Sequence, residues 1–162
     1  MKKFIYLVLL GSLTLVSADA KSSAVRLTSS SFQEKVVVNS QGEEQLMLAP
    51  VSKIIPGDIV IYKNDIVNKG RKTASNLVIK NAIPKHMEYV EDSSLCLDEQ
   101  GCRMLFSIDG GATFKNRDQL FSTNEQGEQE VADAKAITTI KWIIHRLKAG
   151  GHNQVQFKAR LK

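Results

Sequence analysis

The sequence has little from which to build a reaction centre. Its 162 residues include two cysteines, three histidines and one tryptophan. His86, His145 and His152 stand at no ligand spacing to one another or to Cys96 and Cys102, which argues against zinc. Ser, His and Asp all occur, but in no nucleophile elbow or other recognised setting, so a catalytic triad would rest on composition only. No window of a dozen residues carries a 3.6-residue apolar period, which excludes a helical bundle. No basic cluster is interleaved with aromatics, which argues against nucleic acid. Beyond the first 16 residues there is no second long apolar run, so no stable membrane span is expected downstream. The formal net charge of +5 is mild; it serves solubility or, on a sharper reading, attracts anionic envelope polymers.

What is present begins with the leader. Lys2 and Lys3 precede an apolar stretch from Phe4 to Val16, and Ala18-Asp19-Ala20 closes it as an A-x-A cleavage site. Residues 1–20 read as a removed signal peptide, with an uncleaved anchor as the alternative, and residues 21–162 as one domain. Export to the periplasm, cell surface or medium follows. In an oxidising compartment an even cysteine count reads as a disulfide, here Cys96–Cys102, with the intervening LDEQG forming a small hairpin turn.

The rest of the chain alternates in strand fashion. In "NQVQFKARLK", Val155, Phe157, Ala159 and Leu161 form one face and polar residues the other. In "ITTIKWIIHRL", Ile140, Trp142 and Ile144 share a face opposite Lys141, Ile143 and His145. Val60 and Tyr62, then Leu77 and Ile79, supply two more apolar faces. "EKVVVNSQGEEQLMLAPV" reads as a hairpin turning at Asn39 to Gly42. Arg117 to Ala136 is polar and reads as a long loop with one weakly helical stretch near Glu128 to Ala136.

One stretch invites a chemical reading. "FSIDGGATF" (Phe106 to Phe114) fits the Asp-box pattern of sialidases and other sugar-binding proteins. A propeller enzyme needs four to eight blades, which this length and one copy of the motif do not supply. A calcium loop needs several acids, and Asp109 stands alone in its loop. The residues instead predict a hairpin turn: Asp109-Gly110 favours type I′ geometry, Gly111 adds a bulge position, and Ser107 and Thr113 pair across the strands.

The order of these motifs resembles a bacterial surface-protein family. "PGDIVIYKNDIVNKGRKTASNLVIKNAIPKHMEYVEDSS" is similar to the conserved repeat domain of unknown function that is number eleven in its series. Related units occur in the large cysteine-rich outer-membrane protein of chlamydiae. "FSIDGGATF" and the ending "ITTIKWIIHRLKAGGHNQVQFKARL" are similar to later segments of the same unit. The resemblance spans about Val25 to Lys162. It implies an immunoglobulin-like sandwich and lends no catalytic residue and no cofactor. This chain departs from the pattern in being a single unit, in its Cys96/Cys102 pair, and in Asn64. That asparagine stands where an apolar residue is usual, and so is expected near an end of the sandwich.

The expectation is therefore an all-β, immunoglobulin-like antiparallel sandwich of about seven to nine strands. Its core would hold Val60, Tyr62, Leu77, Ile79, Trp142, Phe157 and Leu161, and Ser107, Asp109, Gly110 and Gly111 would form a structural turn. The expected function is that of a non-catalytic exported envelope protein, structural or protein-binding, whose partner is an envelope protein or surface polymer. The alternatives are a periplasmic assembly factor or an envelope-sugar-binding protein or hydrolase using the Asp-box-like turn. No metal and no cofactor is expected. The cysteine loop and the segment from Arg117 to Ala136 are the expected binding regions.

Overall fold

The computed structural model describes residues 24–98 and 101–162; residues 1–20, expected from the sequence to be a signal peptide, lie outside them. The chain forms strands β1 (Val25–Val38), β2 (Glu44–Pro50), β3 (Ile59–Asn68), β4 (Ala74–Ala82), β5 (Met87–Tyr89), β6 (Leu95–Cys96), β7 (Cys102–Ser107), β8 (Phe121–Thr123), β9 (Gln129–Val131), β10 (Thr139–Leu147) and β11 (His152–Leu161). Two 3-10 turns, Arg117–Gln119 and Ala134–Ala136, complete the elements. The strands outnumber the seven to nine expected because β6, β8 and β9 have only two or three residues, too short to show an alternation.

All the strand pairs are antiparallel. One sheet runs β2-β1-β3-β11-β5, with β6 also on β11; the second runs β4-β10-β7; β8 and β9 form a small third sheet. The first two face each other across one apolar core containing Val60, Ile66, Ile79, Phe106, Ile140, Trp142, Ile144, Val155 and Phe157. The predicted faces of β10 and β11 are those observed: Trp142 and Phe157 are fully buried with ring centroids 6.3 Å apart.

Three expected core residues are only half-buried at its margin: Tyr62, Leu77 and Leu161. Leu77 lies on β4, which among the described residues has a neighbour on one side only, and Leu161 ends β11. Tyr62 stacks on Phe157 at 5.0 Å and donates its hydroxyl to Met87 Sδ at 3.1 Å, with burial pushing its phenol up from the ordinary value.

Asn64 departs further from expectation. It sits in the middle of β3, 2% exposed, between Ser29 on β1 and Val155 on β11. Its partners explain the position. Ser29 Oγ donates to Asn64 Oδ1 at 2.7 Å, and Asn64 Nδ2 donates to Asn81 Oδ1 on β4 at 2.9 Å. A buried amide is tolerated mid-strand when its donors and acceptors are paired.

The segment from Arg117 to Ala136 also differs from the expected loop. It holds the β8–β9 hairpin between the two 3-10 turns, and the predicted helical stretch shrinks to Ala134–Ala136. Leu120 and Ala132 bury its base, and Ala132 N–H donates to Leu120 C=O at 2.8 Å. The Arg117 guanidinium clamps it to the β5–β6 connection, donating through Nε and Nη2 to Glu91 at 2.8 and 2.7 Å. That hydrogen bond holds the Glu91 carboxyl below its ordinary value.

Candidate interaction surfaces

The Asp-box-like loop is closed by a two-way backbone bridge between Phe106 and Lys115, at 2.8 and 3.0 Å. Within it the chemistry converges on Asp109. Its carboxylate accepts from Ser107 Oγ at 2.6 Å, from the Thr113 N–H at 3.0 Å, and from the Thr113 hydroxyl. These donors, Ser107 first, hold the Asp109 carboxyl well below the usual carboxylate range. The positive φ angles fall on Gly110 (74°) and Gly111 (88°), one residue later than a type I′ turn at Asp109-Gly110 requires. Ser107 and Thr113 do not pair with each other across strands as expected; both bind Asp109. The residues named from the sequence thus do form a turn, but a wider one, organised by a side chain rather than by a two-residue hairpin. Among the described residues no group of three His, Cys, Asp or Glu is placed to hold a metal ion.

Cys96 and Cys102 are bonded, with Cα atoms 6.4 Å apart. The bond does not close a hairpin. Cys96 is on β6, which pairs with β11, and Cys102 is on β7, which pairs with β10, so it ties one sheet to the other. Beside it Leu95 and Leu97 are exposed and line a shallow cleft with Gln154 and Gln156. That cleft and two others on the surface hold about 240, 190 and 240 Å³. All three are below the 300–1,000 Å³ or so of ordinary small-molecule sites.

The larger exposed feature is the β1–β2 hairpin. The first part of β1 pairs with β3 as far as Gln33, and Phe32 to Val38 pair with β2. Among the described residues the hairpin therefore has two strands and no third beyond Gln33. Register places Val36 opposite Leu46 and Glu34 opposite Leu48 on the same face as Val38. Val36, Val38, Leu46 and Leu48 are 59%, 66%, 65% and 46% exposed. A two-stranded hairpin is marginal in water without a covered face. Among the described residues β2 has a neighbour on one side only, and Gln45 to Ala49 carries no charge that would discourage a further strand.

The turn at its tip is the one expected at Asn39 to Gly42. Asn39 Oδ1 accepts from the N–H groups of Gln41 and Glu43, each at 2.9 Å. The same device closes β8–β9, where Asn124 Oδ1 accepts from Gln126 and Glu128 at 3.1 and 2.9 Å. The shared signal is Asn-x-Gln-Gly-Glu, at Asn39 to Glu43 and again at Asn124 to Glu128. The second copy was available in the sequence as a hairpin mark inside the supposed loop. His86 and His145 are exposed, and His152 Nε2 lies 3.1 Å from Asp65 Oδ1. No protein-family model, no curated protein and no solved structure matches the chain, so its likeness to the conserved repeat domain rests on the quoted motifs.

Proposed function

We propose that this chain is a non-catalytic exported envelope protein whose task is to bind a partner protein through the β1–β2 hairpin. The single observation that carries this reading is the edge of β2 from Gln45 to Ala49, uncharged and, among the described residues, without a further strand, beside four exposed aliphatic side chains. An extended partner segment added to β2 would gain backbone hydrogen bonds from the edge, and its side chains would cover Leu46 and Leu48. The non-catalytic reading is supported by the state of Asp109, whose carboxylate is occupied by Ser107 and Thr113. The second reading, a periplasmic assembly factor, is favoured by the same edge, which suits strand exchange with a subunit awaiting assembly.

The test is site-specific photo-cross-linking in intact cells from position 46, compared with position 53 on the loop after β2. A discrete adduct from position 46, abolished by Leu48→Lys in protein that still folds, is the expected result. An adduct indifferent to Leu48→Lys counts against the hairpin. Turnover of an envelope polymer that vanishes in folded Asp109→Ala protein would restore the hydrolase reading.

A further inference from the structure

Charge is divided unequally between the two facing sheets. The strands of the larger sheet carry Glu34, Glu44, Asp65 and Glu88 against Arg26, Lys35, Lys63, Lys158 and Arg160. The strands of the smaller sheet carry Lys80, Arg103, Lys141 and Arg146 and no acid at all. Register and burial define the outer face of that sheet. Ile140, Trp142 and Ile144 are fully buried, so Lys141, Ile143 and His145 point outward. Lys80 lies opposite Lys141, and both Val78 and Arg103 lie opposite Ile143. The outer face is therefore an aliphatic centre, Val78 and Ile143, ringed by Lys80, Lys141, Arg103 and His145.

Two observations set this arrangement apart from an ordinary solvated sheet face. Lys80 and Lys141 are directly opposed like charges on neighbouring strands, a pairing that destabilises a sheet. Among the described residues none of the four ion pairs involves Lys80, Lys141 or Arg103. Among the described residues, two acids in the loops flanking β7 accept hydrogen bonds of their own: Asp109 from Ser107 and Thr113, and Asp98 from the Gly101 N–H at 3.1 Å. What steadies the lysines is a ring. Phe114 lies beneath both ammonium groups, 4.1 Å from Lys141 Nζ and 5.2 Å from Lys80 Nζ. The Asp-box-like loop delivers that ring to the sheet, which gives its geometry a use beyond turning the chain.

We propose that the outer face of the β4-β10-β7 sheet binds a linear anionic polymer. The acid-free ring of cations meets its repeating charges, and Val78 and Ile143 support its backbone. Neighbouring strands lie about 5 Å apart, so the cations of adjacent strands are within reach of successive anionic groups of one chain. This surface is distinct from the β1–β2 hairpin and does not depend on the hairpin's having a partner.

The probe is linear inorganic polyphosphate, titrated into the purified protein at about 50 mM salt, with anionic lipid vesicles and an acidic protein as parallel arms. Polyphosphate is expected to bind, to weaken steeply as salt rises, and to shift the amide resonances of β4, β7 and β10. The variant Lys80→Gln/Lys141→Gln/Arg103→Gln is expected to lose at least tenfold in affinity. The variant Lys53→Gln/Lys69→Gln/Lys85→Gln removes the same charge from exposed loops and should retain affinity within about twofold. Equal losses in both variants would reduce the effect to net charge and overturn the proposal. So would vesicle or acidic-protein binding without polyphosphate binding, or resonance shifts confined to another face. An unchanged amide spectrum of each free variant outside the mutated positions ensures that a loss reports on binding rather than folding.

Discussion

Asn64 and Asn81 join the two sheets through a side-chain amide bond, Asn64 Nδ2 to Asn81 Oδ1 at 2.9 Å. Asn64 is buried and Asn81 only partly so, hence the two residues are not equivalent. Asn81→Ala strands the buried Asn64 donor, a loss of about 1–3 kcal/mol. Asn64→Leu removes the buried polar group itself, and Ser29 keeps access to water. Asn81→Ala is therefore expected to lower the urea midpoint more than Asn64→Leu does. The reverse order would mean that side-chain volume at position 64, not pairing, governs this site.

Asp109 predicts a pH dependence with a definite sign. Its folded-state value lies below the ordinary 3.8, because Ser107 and Thr113 donate to the ionised form. The unfolded chain therefore takes up the proton first as pH falls. The stabilising contribution is complete above about 3.8 and is lost as pH drops from there toward the folded value. The gap in urea midpoint between the natural protein and Asp109→Asn should be wide at pH 7 and narrower at pH 3. A gap of equal width at both pH values would show that the carboxylate's charge is irrelevant to the loop.

The disulfide spans only six positions of sequence yet links two sheets. Chain entropy for a loop of about seven residues yields about 2.4 kcal/mol of stabilisation. Cys96→Ser/Cys102→Ser should lose stability of this order and remain folded, because Trp142, Phe157 and Ile140 hold the core independently of it. Comparison of urea midpoints, with an unreduced mass to establish the bond, checks both points. A fully unfolded double variant would contradict the core's independence.

How much of this was legible in the sequence depended on whether a residue's neighbours lay along the chain or across it. Trp142 and Phe157 were placed correctly because period-two alternation is local and both strands are long. Tyr62, Leu77 and Leu161 share that alternation but lie at the margin, and depth in the sandwich depends on strand order. The partner of Asn64 is 17 positions away on the opposite sheet, so nothing near it in sequence announced a buried pair. The Asp109 loop was recognised as a turn, although the convergence of Ser107 and Thr113 on one carboxylate is a matter of three dimensions. The β8–β9 hairpin was different: Asn124 to Glu128 repeats the turn signal at Asn39, and the polar composition around it concealed the strands. Asn124→Ala should accordingly raise amide exchange across Phe121–Thr123 and Gln129–Val131 and leave β10 and β11 protected. Uniform loss of protection would make the hairpin part of the global unfolding unit instead.

Lys80 and Lys141 connect stability to the proposed binding face. They are opposed across β4 and β10 with Phe114 beneath both, and Lys141 is the closer to the ring. Lys80→Glu leaves the shorter cation–ring contact intact and turns a repulsive cross-strand pair into an attractive one. Exposed cross-strand pairs of this kind contribute about 0.2–1 kcal/mol, so the variant should be more stable than the natural protein by that order in low salt. The gain should shrink as ionic strength rises, because both side chains contact solvent. The same change should weaken polyphosphate binding, since it places an acid among the cations that ring Val78 and Ile143. A folded chain that becomes more stable and binds less well on one substitution is the signature of a surface kept for a ligand. A Lys80→Glu protein less stable than its parent would instead assign Lys80 a structural role on the Phe114 ring and remove the reason to read the opposed lysines as a binding feature.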